Sequence, residues 1–172
     1  PWSAHIRVPA DVGTAEPTPA PGVSHVMLVA STGGHLAQLI ALADWWRPLR
    51  RTWVTFDKAD ARSLLLGEEV IYAHHPTTRN LRNAARNLAL ARRVLPGVAP
   101  DLVVSTGAGV AVPFFLVARS LRIPTLYLEV YDRIDSPTVT GRLCRPISTA
   151  FCVQWREQLS LYSGAEYVGP VV

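Results

Sequence analysis

Apolar residues fall into two alternating patterns along this chain. Short runs rich in Val, Leu and Ile, such as "HVMLVA" and "DLVVS", are apolar at nearly every position, whereas the segments between them repeat apolar residues every three or four. The first pattern is that of strands buried on both faces, the second that of helices packed on one side. From Val26 onward the two predict strands near 26–30, 51–56, 69–73, 101–105, 124–128 and 149–153. Helices are predicted near 34–46, 58–66, 78–95, 109–121 and 154–162. Strand–helix alternation with buried strands predicts an α/β fold, a Rossmann-like doubly wound parallel sheet with ligands at the carboxyl ends of its strands. Residues 1–22 hold five of the 14 prolines and keep neither period, so they read as a Pro-rich tail or linker. Residues 23–172 form the expected domain.

Two strand ends carry the same device. "LVASTGGHL" at 28–36 and "LVVSTGAGV" at 102–110 each run from a buried strand through Ser-Thr-Gly toward a helix. Glycines at a helix start allow close approach of a ligand to backbone N–H groups, and the helix dipole favours an anion there. Ser31, Thr32, Gly33 and Gly34 of the first loop, and Ser105, Thr106, Gly107 and Gly109 of the second, are therefore candidate phosphate contacts. The glycines also suit plain tight turns. Neither loop carries the GxGxxG of dinucleotide sites, and no GxxxxGK[ST] occurs, so those chemistries are not expected. His35 opens the first helix, where a neutral imidazole can act as a base. It also suits a simple capping hydrogen bond. Glu129, inside the apolar run of "YLEVYDRIDSPTVTGRL", is a second candidate base, and Asp132 and Arg133 follow it as possible acceptor contacts or a solvated ion-paired loop.

Charge adds one more feature. The chain has 172 residues, 49% apolar and 17% charged, with a net charge of +4, which fits one compact domain with an anionic partner. In "RNLRNAARNLALARRVL", Arg79, Arg82, Arg86 and Arg93 recur opposite Leu81, Ala84, Leu88, Ala91 and Leu95, a basic amphipathic helix suited to a membrane surface or to solvent. Trp45 and Trp46, next to Arg47, suit a membrane interface or the core. The basic residues lack a stacking platform, so nucleic acid is not expected as a partner. Cys144 and Cys152 have neither CxxC spacing nor a His pairing, which points to reduced thiols and no zinc site. No apolar run reaches the roughly 18 residues that span a bilayer.

The runs "STGGHLAQL", "RNLRNAARNL", "PDLVVSTGAGVAVPF", "EVYDRIDSPTVTGRL" and "VQWREQ" resemble the PssD/CpsF group of polysaccharide-biosynthesis proteins. That group lies within the oligosaccharide-biosynthesis family of asparagine-linked glycosylation protein fourteen. More distantly, Gly33, Gly34, His35, Ile123, Pro124 and Glu129 are similar in placement to the N-terminal half of MurG-like GT-B glycosyltransferases. The resemblance implies an acceptor-binding, membrane-associated half of a split glycosyltransferase, paired with a small PssE-like subunit that holds the UDP-sugar donor. The acceptor would be a polyprenyl-diphosphate-linked sugar and the location the cytoplasmic face of the plasma membrane, reached peripherally. His35 would then be the first candidate base and Glu129 the second, with no metal and no cofactor held by this chain itself. A non-catalytic adaptor that recruits the active subunit is the alternative. The end of the sequence at "YVGPVV" also allows a piece of a longer fused enzyme.

Overall fold

The computed structural model describes residues 22–171. The Pro-rich stretch, Gly22 apart, lies outside the described residues. Seven parallel strands form one sheet in the order β3-β2-β1-β4-β5-β6-β7. They are β1 His25–Val29, β2 Arg50–Phe56, β3 Val70–Ala73, β4 Leu102–Ser105, β5 Thr125–Leu128, β6 Ala150–Val153 and β7 Glu166–Tyr167. The six expected strands are all present. The edge strand β7 is two residues long, too short for any period to announce it.

Helices cover both faces. Along β1, Met27 and Val29 join one cluster with Phe114, Phe115 and Leu95. Val26 and Leu28 join the other with Leu36, Leu39 and Trp53. This two-sided burial is why the strand is apolar throughout. The helices are α1 Gly34–Ala41, α2 Ala43–Trp46, α3 Ala59–Leu64, α4 Leu81–Val98, α5 Ala111–Ser120 and α6 Val139–Cys144.

Four sequence expectations need correction. The helix expected over 34–46 breaks at Leu42, and the short α2 that follows carries Trp45 and Trp46 inward, 3% and 7% exposed. They are core residues on the face that holds α1, so they offer no membrane contact. Trp46 donates its indole N–H to the Leu39 carbonyl at 2.7 Å and stands edge-on to Trp53.

The buried stripe of α4 is Asn83, Asn87, Leu90, Ala91 and Leu95, rotated from the apolar stripe read off the sequence, and Leu81 is 87% exposed. Two asparagines face inward because they hold backbone. Asn87 Nδ2 donates to the His74 carbonyl at 2.9 Å and its Oδ1 accepts from the His74 N–H, while Asn83 Nδ2 donates to the Pro76 carbonyl. A polar amide is tolerated in a core when it is fully bonded.

The helix expected over 154–162 is a turn and a 3₁₀ segment, Glu157–Ser160. There the buried Gln158 side chain accepts from the N–H groups of Gln154 and Trp155 and replaces helical hydrogen bonds. Finally, α6 was not expected at all. Its N-cap is Thr138, whose hydroxyl accepts from the Gly141 N–H at 2.9 Å.

Candidate functional site

Strands β1 and β4 are adjacent at the centre of the sheet, and the crossovers leave them toward opposite edges. The two Ser-Thr-Gly loops therefore meet at the topological switch point, where open α/β sheets bind ligands. They are locked together by a reciprocal pair of hydrogen bonds. His35 Nδ1 lies 2.8 Å from the Thr106 carbonyl, and the Thr106 hydroxyl donates to the His35 carbonyl at 2.6 Å. A carbonyl can only accept, so Nδ1 carries the proton and a neutral ring keeps its lone pair on Nε2. The half-buried His35 borders a cavity of about 550 Å³ with Gly34, Gln38, Tyr131 and Asp132. A histidine set in one tautomer beside a cavity can act as a base.

The glycines serve this contact more than they serve an anion. Gly107 has φ 116°, and a Cβ there would stand 3.0 Å from His35 Cε1 and 3.0 Å from the Tyr127 hydroxyl. Only glycine lets the imidazole lie against the second loop. Gly109 is pressed in the same way against Thr77 of the β3–α4 loop. The Gly107 N–H donates to Ser105 Oγ at 3.0 Å. Ser105 and Thr106 are buried with their hydroxyls bonded inward, so neither presents a hydroxyl to a phosphate in this arrangement.

In the first loop the Gly33 N–H is also occupied, by the Asp60 carboxylate at the start of α3, 3.0 Å away. A protein carboxylate thus sits where the sequence led us to expect a phosphate. The Gly34 and His35 N–H groups have no acceptor among the described residues and are left open at the start of α1. Ser31 donates to the Thr32 carbonyl at 3.3 Å, and both residues are half-buried beside these amides.

Glu129 does not face the crevice. It is fully buried, its carboxylate accepting from the Val130 N–H at 2.9 Å, from the Thr138 hydroxyl at 3.0 Å and from the Tyr162 hydroxyl. The Tyr162 oxygen in turn accepts from the Thr138 N–H at 3.0 Å. Burial, and next the carboxylate it serves, push the Tyr162 phenol above its ordinary range. A Cβ at Gly141 would collide with Glu129 and stand 2.5 Å from the Tyr162 hydroxyl, which is why α6 has glycine where it crosses this group. Glu129 is a clamp that fastens the start of α6 to the end of β5, and the sequence expectation of a base there is corrected on that ground.

The segment after Glu129 is held from below by two buried glutamines. Gln154 Nε2 donates to the Glu129 carbonyl at 2.8 Å, and Gln158 Nε2 donates to the carbonyls of Val130 and Arg133 at 2.9 and 3.1 Å. Asp132 reaches the cavity wall, whereas Arg133 is exposed and absent from it. Gln38, Tyr131, Gln154 and Gln158 lie within the sequence runs quoted above but were given no role there, and Asp60 lies outside them. A further signal was that Gln38 stands one helical turn after His35.

Arg79, Arg82, Arg86 and Arg93 are all exposed, and no carboxylate pairs with them among the described residues. Leu81 at 87%, Val139 at 76%, Leu143 at 54% and Leu116 at 44% exposure project from α4, α6 and α5. These three helices pack side by side on one face of the sheet, so apolar and cationic side chains share that layer.

The sequence profile of the family described as "Oligosaccharide biosynthesis protein Alg14 like" matches residues 61–171. The UDP-N-acetylglucosamine transferase subunit ALG14 of Debaryomyces hansenii is 26% identical over 87% of this chain and 77% of its own length. A UDP-N-acetylglucosamine–N-acetylmuramyl-(pentapeptide) pyrophosphoryl-undecaprenol N-acetylglucosamine transferase of Deinococcus radiodurans is 30% identical over 73% of this chain, which spans only 35% of that protein. Among solved structures, Acinetobacter baumannii MurG superposes with a TM-score of 0.68 at 21% identity, over 85% of this chain and 45% of MurG. The Methanocaldococcus jannaschii UDP-GlcNAc 2-epimerase gives 0.62 at 18% identity, over 79% of this chain and 41% of the epimerase. The Rossmann-like fold of this chain is thus shared with these two solved structures, which are of GT-B type.

Proposed function

Because this chain belongs to the Alg14-like oligosaccharide-biosynthesis family, we propose that it is the acceptor-binding subunit of a two-component glycosyltransferase. It transfers a sugar from a UDP-sugar to a polyprenyl-diphosphate-linked sugar. The observation that carries this reading is His35, fixed by Thr106 with Nε2 as its only acceptor atom and bordering a cavity at the switch point. In the transfer, Nε2 takes the proton of the acceptor hydroxyl while that oxygen bonds to the anomeric carbon. The bond from that carbon to the diphosphate breaks, and UDP leaves with the electron pair. The Gly34 and His35 N–H groups are placed to hold the acceptor diphosphate.

The donor belongs to a second, PssE-like chain. One fact supports this assignment: the Debaryomyces hansenii relative, matched over 77% of its length, is named a transferase subunit. The resemblance to PssD/CpsF proteins favours a surface polysaccharide as the product. Attachment is peripheral, at the cytoplasmic face of the plasma membrane, through the layer of α4, α5 and α6, where Leu81, Leu116, Val139 and Leu143 adjoin Arg82 and Arg86. Among the described residues no helix is long and apolar enough to cross a membrane.

The test is transfer from a panel of labelled UDP-sugars to lipid extract, with this chain alone, the partner alone and both together. Activity in the mixture alone, lost in His35→Ala, is expected. Full activity of the partner alone would overturn the catalytic role and leave this chain as a recruiting adaptor.

A further inference from the structure

The cavity beside His35 has chemistry that the transfer of a proton does not use. Its volume, about 550 Å³, lies within the range of small-molecule sites, roughly 300–1,000 Å³. Its wall away from the glycine loops is built by Gln38, Tyr131 and Asp132, with Val171 at the floor. Gln38 follows His35 by one turn of α1 and so lies on the same side of the helix. Its Oε1 is buried and has no hydrogen-bond partner among the described residues. The other end of the amide, Nε2, has no hydrogen-bond partner among the described residues either and is not shut off with the oxygen, so the amide keeps bonding capacity for a ligand at this wall.

Tyr131 is 42% exposed, yet it is not loose. Trp155 donates its indole N–H to the Tyr131 carbonyl at 2.6 Å, and the two rings lie 5.9 Å apart. The carbonyls on either side, Val130 and Arg133, are held by Gln158. An aromatic ring, an amide and a carboxylate are therefore presented to one space by a backbone fixed from below. That combination of an apolar plate with two hydrogen-bonding groups matches a pyranose, whose ring offers an apolar C–H face and a belt of hydroxyls.

We infer that Gln38, Tyr131 and Asp132 form a pyranose subsite in which Gln38 and Asp132 bond the sugar hydroxyls and Tyr131 covers one ring face. This rests on the reading of the chain as an acceptor-binding subunit, and it names where the sugar beyond the diphosphate sits. The sugar hydroxyl that reacts then lies toward His35 Nε2, because all of these groups border one cavity. Gln38 is a binding residue that selects and orients, with no proton to move.

The test uses the full chain without its partner. Calorimetric titrations compare geranyl diphosphate with geranyl diphosphate bearing N-acetylglucosamine, and UDP with UDP-N-acetylglucosamine. The expected result is that the sugar-bearing lipid binds about tenfold more tightly than the sugar-free one. In Gln38→Leu this preference collapses toward one while affinity for geranyl diphosphate and the melting temperature are kept; in Gln38→Glu, which retains an acceptor, part of it survives. Sugar preference confined to the UDP pair and lost in Gln38→Leu would keep the subsite and assign it to the donor's pyranose. Equal binding with and without sugar in both pairs, or a preference that Gln38→Leu leaves intact, overturns the subsite. These outcomes are separate from those of the transfer assay. Transfer by the two-chain mixture without any sugar preference would remove only the subsite, and a Gln38-dependent preference without transfer would remove only the enzymatic reading.

Discussion

At the scale of single residues, the pairing of His35 with Thr106 joins chain segments 71 positions apart, and its geometry depends on the lack of a side chain at Gly107. A methyl group there meets the imidazole and the Tyr127 hydroxyl at 3.0 Å, on a backbone with φ 116°. Gly107→Ala is expected to cost about 1–3 kcal/mol of stability and to abolish transfer in the two-chain assay, even at temperatures where circular dichroism reports a folded protein. Asp60 leads to a change in the opposite direction. Its carboxylate occupies the Gly33 N–H and repels an incoming phosphate, so Asp60→Asn should raise affinity for pyrophosphate by about fivefold at low salt, on the order of one unit-charge interaction in water. The gain should shrink as salt is added; an unchanged affinity in a titration would show that phosphate does not approach this loop. His35 was legible in the sequence because Gly-Gly-His closes a short loop after a buried strand. Asp60 was not, since its partner is 27 positions away and an exposed Asp at a helix start has an ordinary explanation in the dipole.

At the scale of elements, the site depends on how strand ends are fastened. Asp101 accepts from the N–H groups of Ser24 and His25 and from the Ser24 hydroxyl, at 2.8 to 2.9 Å, and so ties the start of β4 to the start of β1. Those donors, the backbone amides first, hold its carboxyl below the usual range. A carboxyl with a lowered folded value stabilises the fold fully above its ordinary value, near 4, and the contribution fades as pH falls through the lower folded value. Asp101→Asn should therefore melt earlier at pH 7, by about 1 kcal/mol after allowing for solvent, and the gap should close toward pH 2 in thermal melts. At the other end of the sheet, Gly141→Ala would drive a methyl group into Glu129 and Tyr162, which is expected to cost about 1–3 kcal/mol and to loosen α6, measurable as faster amide exchange over Val139–Cys144. Strand positions were readable from composition because burial on both faces leaves room for few polar residues, mostly Thr and Ser. The phase of α4 was not, because Asn83 and Asn87 look like surface residues until the carbonyls they serve are known. Gln158 defeats a helix reading in the same way, by giving its own side chain to the N–H groups that a helix would use.

At the scale of the whole molecule, the sheet divides the core into two layers, and each cysteine lies in a different one. Cys144 packs with Phe114 and Phe151, while Cys152 packs with Leu126 and Leu128 on the opposite face. Burial pushes both thiols up to about 12. Neither should react with a thiol reagent at pH 8 in the folded protein, and both should react together on global unfolding; earlier labelling of one would mean that its layer opens independently. Fold class was the most legible property of the sequence, because alternation of two apolar periods has few architectural solutions. Which helix face meets solvent, and with it the apolar and arginine-rich layer, depended on packing that no local pattern states. The strand order has a further consequence for synthesis. The first three strands can pair with one another as soon as they emerge, but β4, the second neighbour of β1, arrives only after the 18-residue helix α4 has been made. While the ribosome is still short of Leu102, one edge of β1 is an unpaired apolar border, a state in which chains adhere to one another. A strand that is interior in the finished sheet is thus an exposed edge in the nascent one, and the interval spent translating α4 is when a chaperone has the most to cover.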